Sequence, residues 1–148
     1  ILAWGIDRYV FGMHRSRELA SYTERASGAL VAAHPYRRQM PWFSRSEEET
    51  TMALEKAMRN PAYQYVKALE TLNGRGSDKE NEFSRRLQEM MGMPGTAGTD
   101  SHAISDIGKV ATYFDREIHD ERELIEELKA GRYYPVDMRT GKPVGVPS

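Results

Sequence analysis

An acidic side chain and an imidazole lie two positions apart in the segment GTAGTDSH, where Asp100 and His102 follow a run of small residues. Residues i and i+2 of an extended segment point to the same side, so these two side chains can face one point. A second imidazole, that of His34, ends the apolar run ALVAAHP, which predicts a buried strand. Functional groups of parallel α/β folds gather at the carboxyl ends of strands, so we expect the three residues to meet there. Two imidazoles and a carboxylate suit a divalent ion such as zinc, manganese or iron.

Each feature taken alone also has a structural explanation. A histidine before proline is common at a hydrogen-bonded turn, and an isolated Asp-x-His is more often a polar loop than a ligand pair. Their joint occurrence at the ends of two small-residue strands favours a site, and we predict His34, Asp100 and His102 as metal ligands.

Two arginines and an asparagine follow the same predicted strands. Arg37 comes three residues after His34, and Asn73 and Arg75 end the segment VKALETLNGR. A planar guanidinium suits a pair of phosphate oxygens, so we predict that Arg37, Asn73 and Arg75 bind substrate. Solvent-facing loop charges and an ordinary Asn-Gly turn are the alternatives. Glu70 is a candidate acceptor for an imidazole N–H.

The elements predicted around these residues alternate between strands and helices, with mostly short connections. This order favours one α/β domain with a largely parallel sheet, and the chain ends in a tail, placed at 137–148. Capping signals place helix starts at Ser46 and Asp120. The predicted strands are 1–6 (buried), 29–35, 66–75 (strand or short helix), 96–100, 110–114 and 132–138, and the predicted helices are 15–27, 47–59, 77–91 and 121–131.

The amino-acid composition argues against several classes of function. The 148 residues carry 21 basic and 22 acidic side chains, a net charge of −1 that gives no support to coating of duplex nucleic acid. No apolar run approaches the roughly 20 residues that a membrane span needs. The absence of cysteine excludes disulfides, thiolate zinc sites and cysteine nucleophiles. We therefore expect a soluble cytoplasmic protein that acts on a phosphorylated small molecule or a nucleotide and has neither duplex nucleic acid nor a membrane as a partner.

The ordered segments ALVAAHPYR, ALETLNGR and GTAGTDSHAISDIGKVATYF resemble the later half of PHP (polymerase and histidinol phosphatase) domains. The similarity extends to the closing segment ELIEELKAGRYYPV and covers about residues 1–136. Each motif is weak alone, whereas the order of a His-Pro after a strand, Glu-x-x-Asn-Gly and Gly-Thr-Asp-x-His is specific.

The resemblance implies the C-terminal part of a distorted (β/α)7 PHP-type barrel, whose rim holds up to three divalent ions (manganese, zinc, iron or magnesium). It assigns His34, Asp100 and His102 to metal-ligand positions. It implies a metal-dependent phosphoesterase in which a metal-activated water hydrolyses a small phosphate monoester, a nucleotide or an oligonucleotide end, without a catalytic side-chain nucleophile. The remaining ligands of the family come earlier in the chain, so we expect a fragment that is inactive alone.

Two other classes of function stay open. One is a non-catalytic α/β interaction module that keeps a remnant of the barrel and associates into a homo-oligomer through exposed strand edges. The other is a different metal-dependent hydrolase barrel, such as an amidohydrolase. That class fits less well, because its final aspartate usually stands without a histidine two residues later.

Overall fold

A computed structural model describes residues 1–37 and 46–144. Strands and helices alternate along most of the chain, which confirms the predicted α/β class. The strands are β1 (Leu2–Trp4), β2 (Ala29–Ala32), β3 (Ala68–Asn73), β4 (Gly95–Gly98), β5 (Val110–Phe114), β6 (Tyr133–Asp137) and β7 (Lys142–Pro143). The α-helices of the described part are α1 (Ser16–Arg25), α2 (Glu47–Met58), α3 (Asp78–Met91) and α4 (Glu121–Ala130), and short 3-10 helices cover Pro61–Tyr65 and Ile104–Asp106.

The first sheet has the strand order β1-β2-β3-β4. β2, β3 and β4 run parallel, so their carboxyl ends lie at one edge of the sheet. β2 and β3 are buried along their whole length, as strands covered on both faces must be. β1 pairs antiparallel with β2 at the border of the sheet, and Ile1 and Leu2 are about half exposed. The prediction that this first strand is buried was therefore wrong.

The second sheet, β5-β6-β7, is entirely antiparallel. The expectation of one largely parallel sheet is wrong here, because apolar runs predict strands without specifying their direction. The described strands form two separate sheets and close no barrel, so a PHP-type barrel is not confirmed. The Thr112 hydroxyl links the two sheets, because it accepts from the Ala97 N–H (2.9 Å) and donates to the Ala97 carbonyl (3.1 Å).

Helix ends follow the predicted capping chemistry. The side chains of Ser46 and Asp120 accept hydrogen bonds from backbone N–H groups three residues later, which confirms both predicted starts. Ser77 and Glu80 form a complete capping box at the start of α3. Gly92 takes the left-handed conformation that ends this helix without a Cβ penalty. These local signals explain why the helix boundaries could be read from the sequence.

Buried apolar residues cover both faces of the first sheet. Leu30 and Leu69 point to the side of α2 and α3, where Leu54, Phe83 and Leu87 complete one cluster. The neighbouring strand residues point to the opposite side, because side chains alternate along a strand. There they pack beneath α4 and β6, in a second cluster of Ala29, Val31, Ala68, Ile125, Leu128 and Tyr133.

The predicted tail takes part in the second sheet over its first half. Asp137 ends β6, and Lys142–Pro143 pair with this strand as β7. Residues 145–148 of the predicted tail lie outside the described residues. Within the described ranges, no helix has the length and apolar character required to span a membrane.

Candidate functional site

The carboxyl ends of β2, β3 and β4 bring all the predicted site residues to one edge of the first sheet. Hydrogen bonds, ion pairs and close contacts join them in a closed ring, together with Glu70 and Asp106. We call this group the rim. Its members are His34, Arg37, Glu70, Asn73, Arg75, Asp100, His102 and Asp106.

Two rim residues have an unusual backbone conformation. His34 has φ of +31° and Asp100 has φ of +49°, in the region that residues with a side chain rarely adopt. Each follows its parallel strand within two residues, so the chain turns sharply where the side chain leaves the sheet. Such strain is tolerated where surrounding contacts fix it, and it is concentrated at functional sites.

The guanidinium of Arg37 lies between two predicted metal ligands. Its Nη2 donates to Asp100 Oδ2 across 2.6 Å, and its Nη1 lies 3.5 Å from His34 Nε2. The Asp100 side chain is 17% exposed, whereas the Arg37 side chain is 49% exposed. The arginine thus closes the rim from the solvent side and keeps donors available to an incoming anion.

Glu70 supports the rim from inside the sheet. Its carboxylate accepts from the His34 main-chain N–H (2.6 Å) and from Asn73 Nδ2 (3.2 Å). The donor to Glu70 is therefore the main-chain N–H of His34, where an imidazole N–H was predicted. Burial raises the pKa of Glu70, and burial also lowers the pKa of His34. Gly98 lies against this carboxyl, because a Cβ at that position would overlap Glu70 Oε1.

Asn73 organises the turn after β3. Its Oδ1 accepts from the N–H groups of Arg75 (3.0 Å) and Gly76 (2.9 Å), and its own N–H donates to Asn81 Oδ1 (2.8 Å). Asn73 is 1% exposed, so its side chain fixes the position from which Arg75 extends. Its predicted contact with substrate stays a prediction.

Asp106 is a rim residue that was not predicted from the sequence. It accepts from Lys109 Nζ (2.7 Å) and from the His102 main-chain N–H (3.1 Å), and Arg75 Nη1 lies 3.6 Å away. The hydrogen bonds from Lys109 first, and then from the His102 main chain, lower the pKa of Asp106 to about 2, so it is ionised at neutral pH. The Asp-x-x-Lys spacing within DSHAISDIGK is the only local signal that could have indicated it.

His102 is the most open of the predicted ligands. Its side chain is 63% exposed, and its Nδ1 lies 2.7 Å from the main-chain oxygen of Asp100. With Nδ1 as the donor of this bond, the Nε2 nitrogen faces outward as an acceptor. The imidazole is therefore available to a ligand that approaches the rim.

The rim does not form a complete metal site by itself. Among the described residues, no group of three or more histidine, cysteine or acidic side chains is arranged to hold a metal ion. Arg37 contacts both His34 and Asp100, and His102 directs its Nδ1 to the main-chain oxygen of Asp100, 4.0 Å from Asp100 Oδ1. The residues present therefore suit an anion better than a cation, and the predicted metal-ligand roles stay predictions.

Comparison with known families gives one result. Residues 78–133 match a family model described as PHP-associated. The match runs from α3 to the start of β6, covers less than half of the chain, and includes Asp100 and His102. It confirms the resemblance to PHP-associated proteins over that segment. No curated protein and no solved structure matches the chain.

Proposed function

We propose that the chain is part of a metal-dependent phosphoesterase of the PHP type. The PHP-associated match over residues 78–133 supports this relationship to a phosphoesterase family. The three parallel strands β2, β3 and β4 would then belong to the C-terminal part of a distorted (β/α)7 barrel. The reaction class is hydrolysis of a phosphate ester by water, with a small phosphate monoester, a nucleotide or an oligonucleotide end as substrate.

The observation that carries the proposal is the pairing of two arginines with two acids at adjoining strand ends. Arg37 contacts Asp100, and Arg75 approaches Asp106. Both arginine side chains are more than two-fifths exposed, so their remaining N–H groups can donate to phosphate oxygens. The carboxylates hold each guanidinium in place before a substrate arrives, and this preorganisation strengthens binding.

The proposed metal ligands are His34, Asp100 and His102. Since the described residues do not complete a metal site, hydrolysis would require further ligands from other parts of the protein. Residues 1–148 alone should therefore bind phosphate at the rim and hydrolyse phosphate esters poorly.

A phosphatase assay tests this proposal. The chain of residues 1–148 and the longest protein encoded by its gene are compared with p-nitrophenyl phosphate and with nucleotides, with and without Mn²⁺. We expect turnover by the longer protein that depends on Mn²⁺ and falls when His102 is changed to Ala. Metal-independent turnover by the longer protein, or no turnover by either chain, would overturn the proposal. Robust turnover by residues 1–148 would overturn the expectation that this segment is inactive alone.

A second candidate function is a non-catalytic module that binds a phosphorylated partner. The contact of Arg37 with Asp100 favours it, because a guanidinium there competes with a cation for the same carboxylate. Calorimetry with Mn²⁺ on the longer protein separates the two functions. Tight binding that His34→Ala abolishes supports the enzyme, whereas absence of binding together with retained phosphate affinity supports the module.

A further inference from the structure

A cleft of about 430 Å³ opens at the other end of β2 from the rim. One wall is α1, another is the 3-10 helix Pro61–Tyr65, and the floor is the start of β2 at Gly28 and Ala29. His34 follows Ala29 by five residues, so an extended chain separates the cleft from the rim by roughly 17 Å. The cleft is therefore a separate candidate site.

Two lysines bring positive charge to the cleft from different parts of the fold. Lys67 precedes β3, and Lys129 lies in the last turn of α4. Lys129 Nζ donates one hydrogen bond to the Ser27 carbonyl and keeps two further N–H groups. Lys67 has no acidic partner in the part of the chain that the structure describes. Glu24 is the acidic residue among the lining side chains, so the lining carries an excess of positive charge.

A buried hydroxyl without a hydrogen-bond partner lies in the same wall. Thr23 is 2% exposed, and its Oγ1 has no partner within the described ranges. Burying a hydroxyl without a partner costs free energy, so such a group is uncommon unless a ligand or a water molecule completes it. Thr23 is one of the residues that line the cleft, so a ligand or a water molecule bound there is a candidate partner for its hydroxyl.

We propose that this cleft binds a small oxyanion, a phosphate or a carboxylate group, held by Lys67 and Lys129 with the Thr23 hydroxyl as an additional donor. Ammonium groups and hydroxyls are the donors that such oxygens accept from. The apolar lining of Ala20 and Leu30 leaves room for a short carbon chain attached to the anion. This site is separate from the rim and does not depend on the chemistry there.

NMR titration of isotopically labelled protein tests the proposal. Inorganic phosphate and succinate are added separately at constant ionic strength, with chloride as the reference anion. We expect saturable shifts of the Gly28, Thr23 and Lys67 amides with at least one of the two anions. If phosphate is the ligand, phosphate acts more strongly, and if a carboxylate is the ligand, succinate does. Shifts only at the rim, or shifts equal to those with chloride, would overturn the proposal.

Two substitutions identify the groups that bind. Lys67→Gln should weaken the response of the cleft about tenfold, the loss expected for one charge-assisted hydrogen bond. Lys79→Gln, at an exposed lysine of α3, is the matched control and should leave the response unchanged. Equal effects of Lys67→Gln and Lys79→Gln would mean that the response depends only on the net charge of the protein, which would contradict a specific site.

Thr23→Val separates a binding role from a packing role. The variant removes a hydroxyl without a partner and keeps the side-chain shape, so we expect a higher melting temperature without ligand. If the hydroxyl contacts the anion, the same variant should bind succinate or phosphate several-fold more weakly. A variant that is more stable and binds as well as the wild type would remove Thr23 from the site and refute that part of the proposal.

Discussion

The guanidinium of Arg37 donates a hydrogen bond of 2.6 Å to the carboxylate of Asp100, which joins the loop after β2 to the loop after β4. Arg37 and Asp100 lie 63 positions apart in sequence, and both were predicted as site residues. The contact leaves the positive charge of the arginine at the solvent side of the rim. A phosphate that binds there would meet a guanidinium that is already oriented.

Substitution of Arg37 by Gln should weaken the binding of inorganic phosphate at the rim by at least about tenfold, because a charge-assisted hydrogen bond is lost. The shifts of the Gly74 and Gly98 amides on titration with phosphate report the affinity. Arg122→Gln, at an exposed arginine of α4, is the control and should bind as the wild type does. Equal affinity of the wild-type and Arg37→Gln proteins would exclude Arg37 as an anion ligand.

Gly98→Ala should destabilise the protein by about 1–3 kcal/mol, because the new Cβ overlaps the Glu70 carboxyl between β3 and β4. Urea unfolding measures the loss. In a Glu70→Ala background the obstacle is absent, so the same substitution should cost less by about 1 kcal/mol or more. Identical costs in the two backgrounds would mean that Glu70 is not the group that excludes a side chain at position 98.

The sequence contained enough information for much of the fold. Helix starts at Ser46 and Asp120 depend on side chains within three residues, so they could be read directly. The direction of β5 and β6 could not, because it depends on pairing between segments that lie about twenty residues apart. Local chemistry thus predicted the elements, whereas the division into two sheets required the three-dimensional arrangement.

For the rim, too, local sequence patterns could be recognised, whereas contacts that depend on the three-dimensional arrangement could not. Asp100 and His102 were predicted from the local Asp-x-His spacing, but the expected extended segment is wrong: β4 ends at Gly98 and Asp100 is left-handed. Asp106 was missed because its local contacts with His102 and Lys109 do not place it in the site, whereas its contact with the distant Arg75 does. Glu70 was expected to contact an imidazole, but it accepts from the main-chain N–H of His34. No pattern in the sequence indicates whether the main chain or the imidazole of His34 donates to Glu70.

Acid should destabilise the protein partly through Glu123. Hydrogen bonds from the main-chain N–H and the ring of His119 lower the pKa of Glu123 from an ordinary value of 4.5 to about 2. A carboxyl with a lowered pKa in the folded state stabilises the protein fully above its unfolded pKa, and this stabilisation is lost as the pH falls toward 2.

Thermal unfolding between pH 6 and about pH 2 checks this expectation. Glu123→Gln should melt at a lower temperature than the wild type at neutral pH, and the difference should shrink as the pH falls. Glu55→Gln, at an exposed position of α2, should follow the wild-type curve throughout. A constant difference between Glu123→Gln and the wild type at every pH would contradict the assigned pKa.

The hydroxyl of Thr112 should be required for the junction of the two sheets. Thr112→Val keeps the size and the strand propensity of the side chain but leaves the N–H and carbonyl of Ala97 without this partner, at a cost of about 1–3 kcal/mol. Hydrogen exchange should show faster exchange of the Ala97 amide in this variant. Thr112→Ser retains the hydroxyl and should keep the amide protected, although it loses a methyl group. Unchanged protection of Ala97 in Thr112→Val would mean that the Thr112 hydroxyl is not the group that protects this amide.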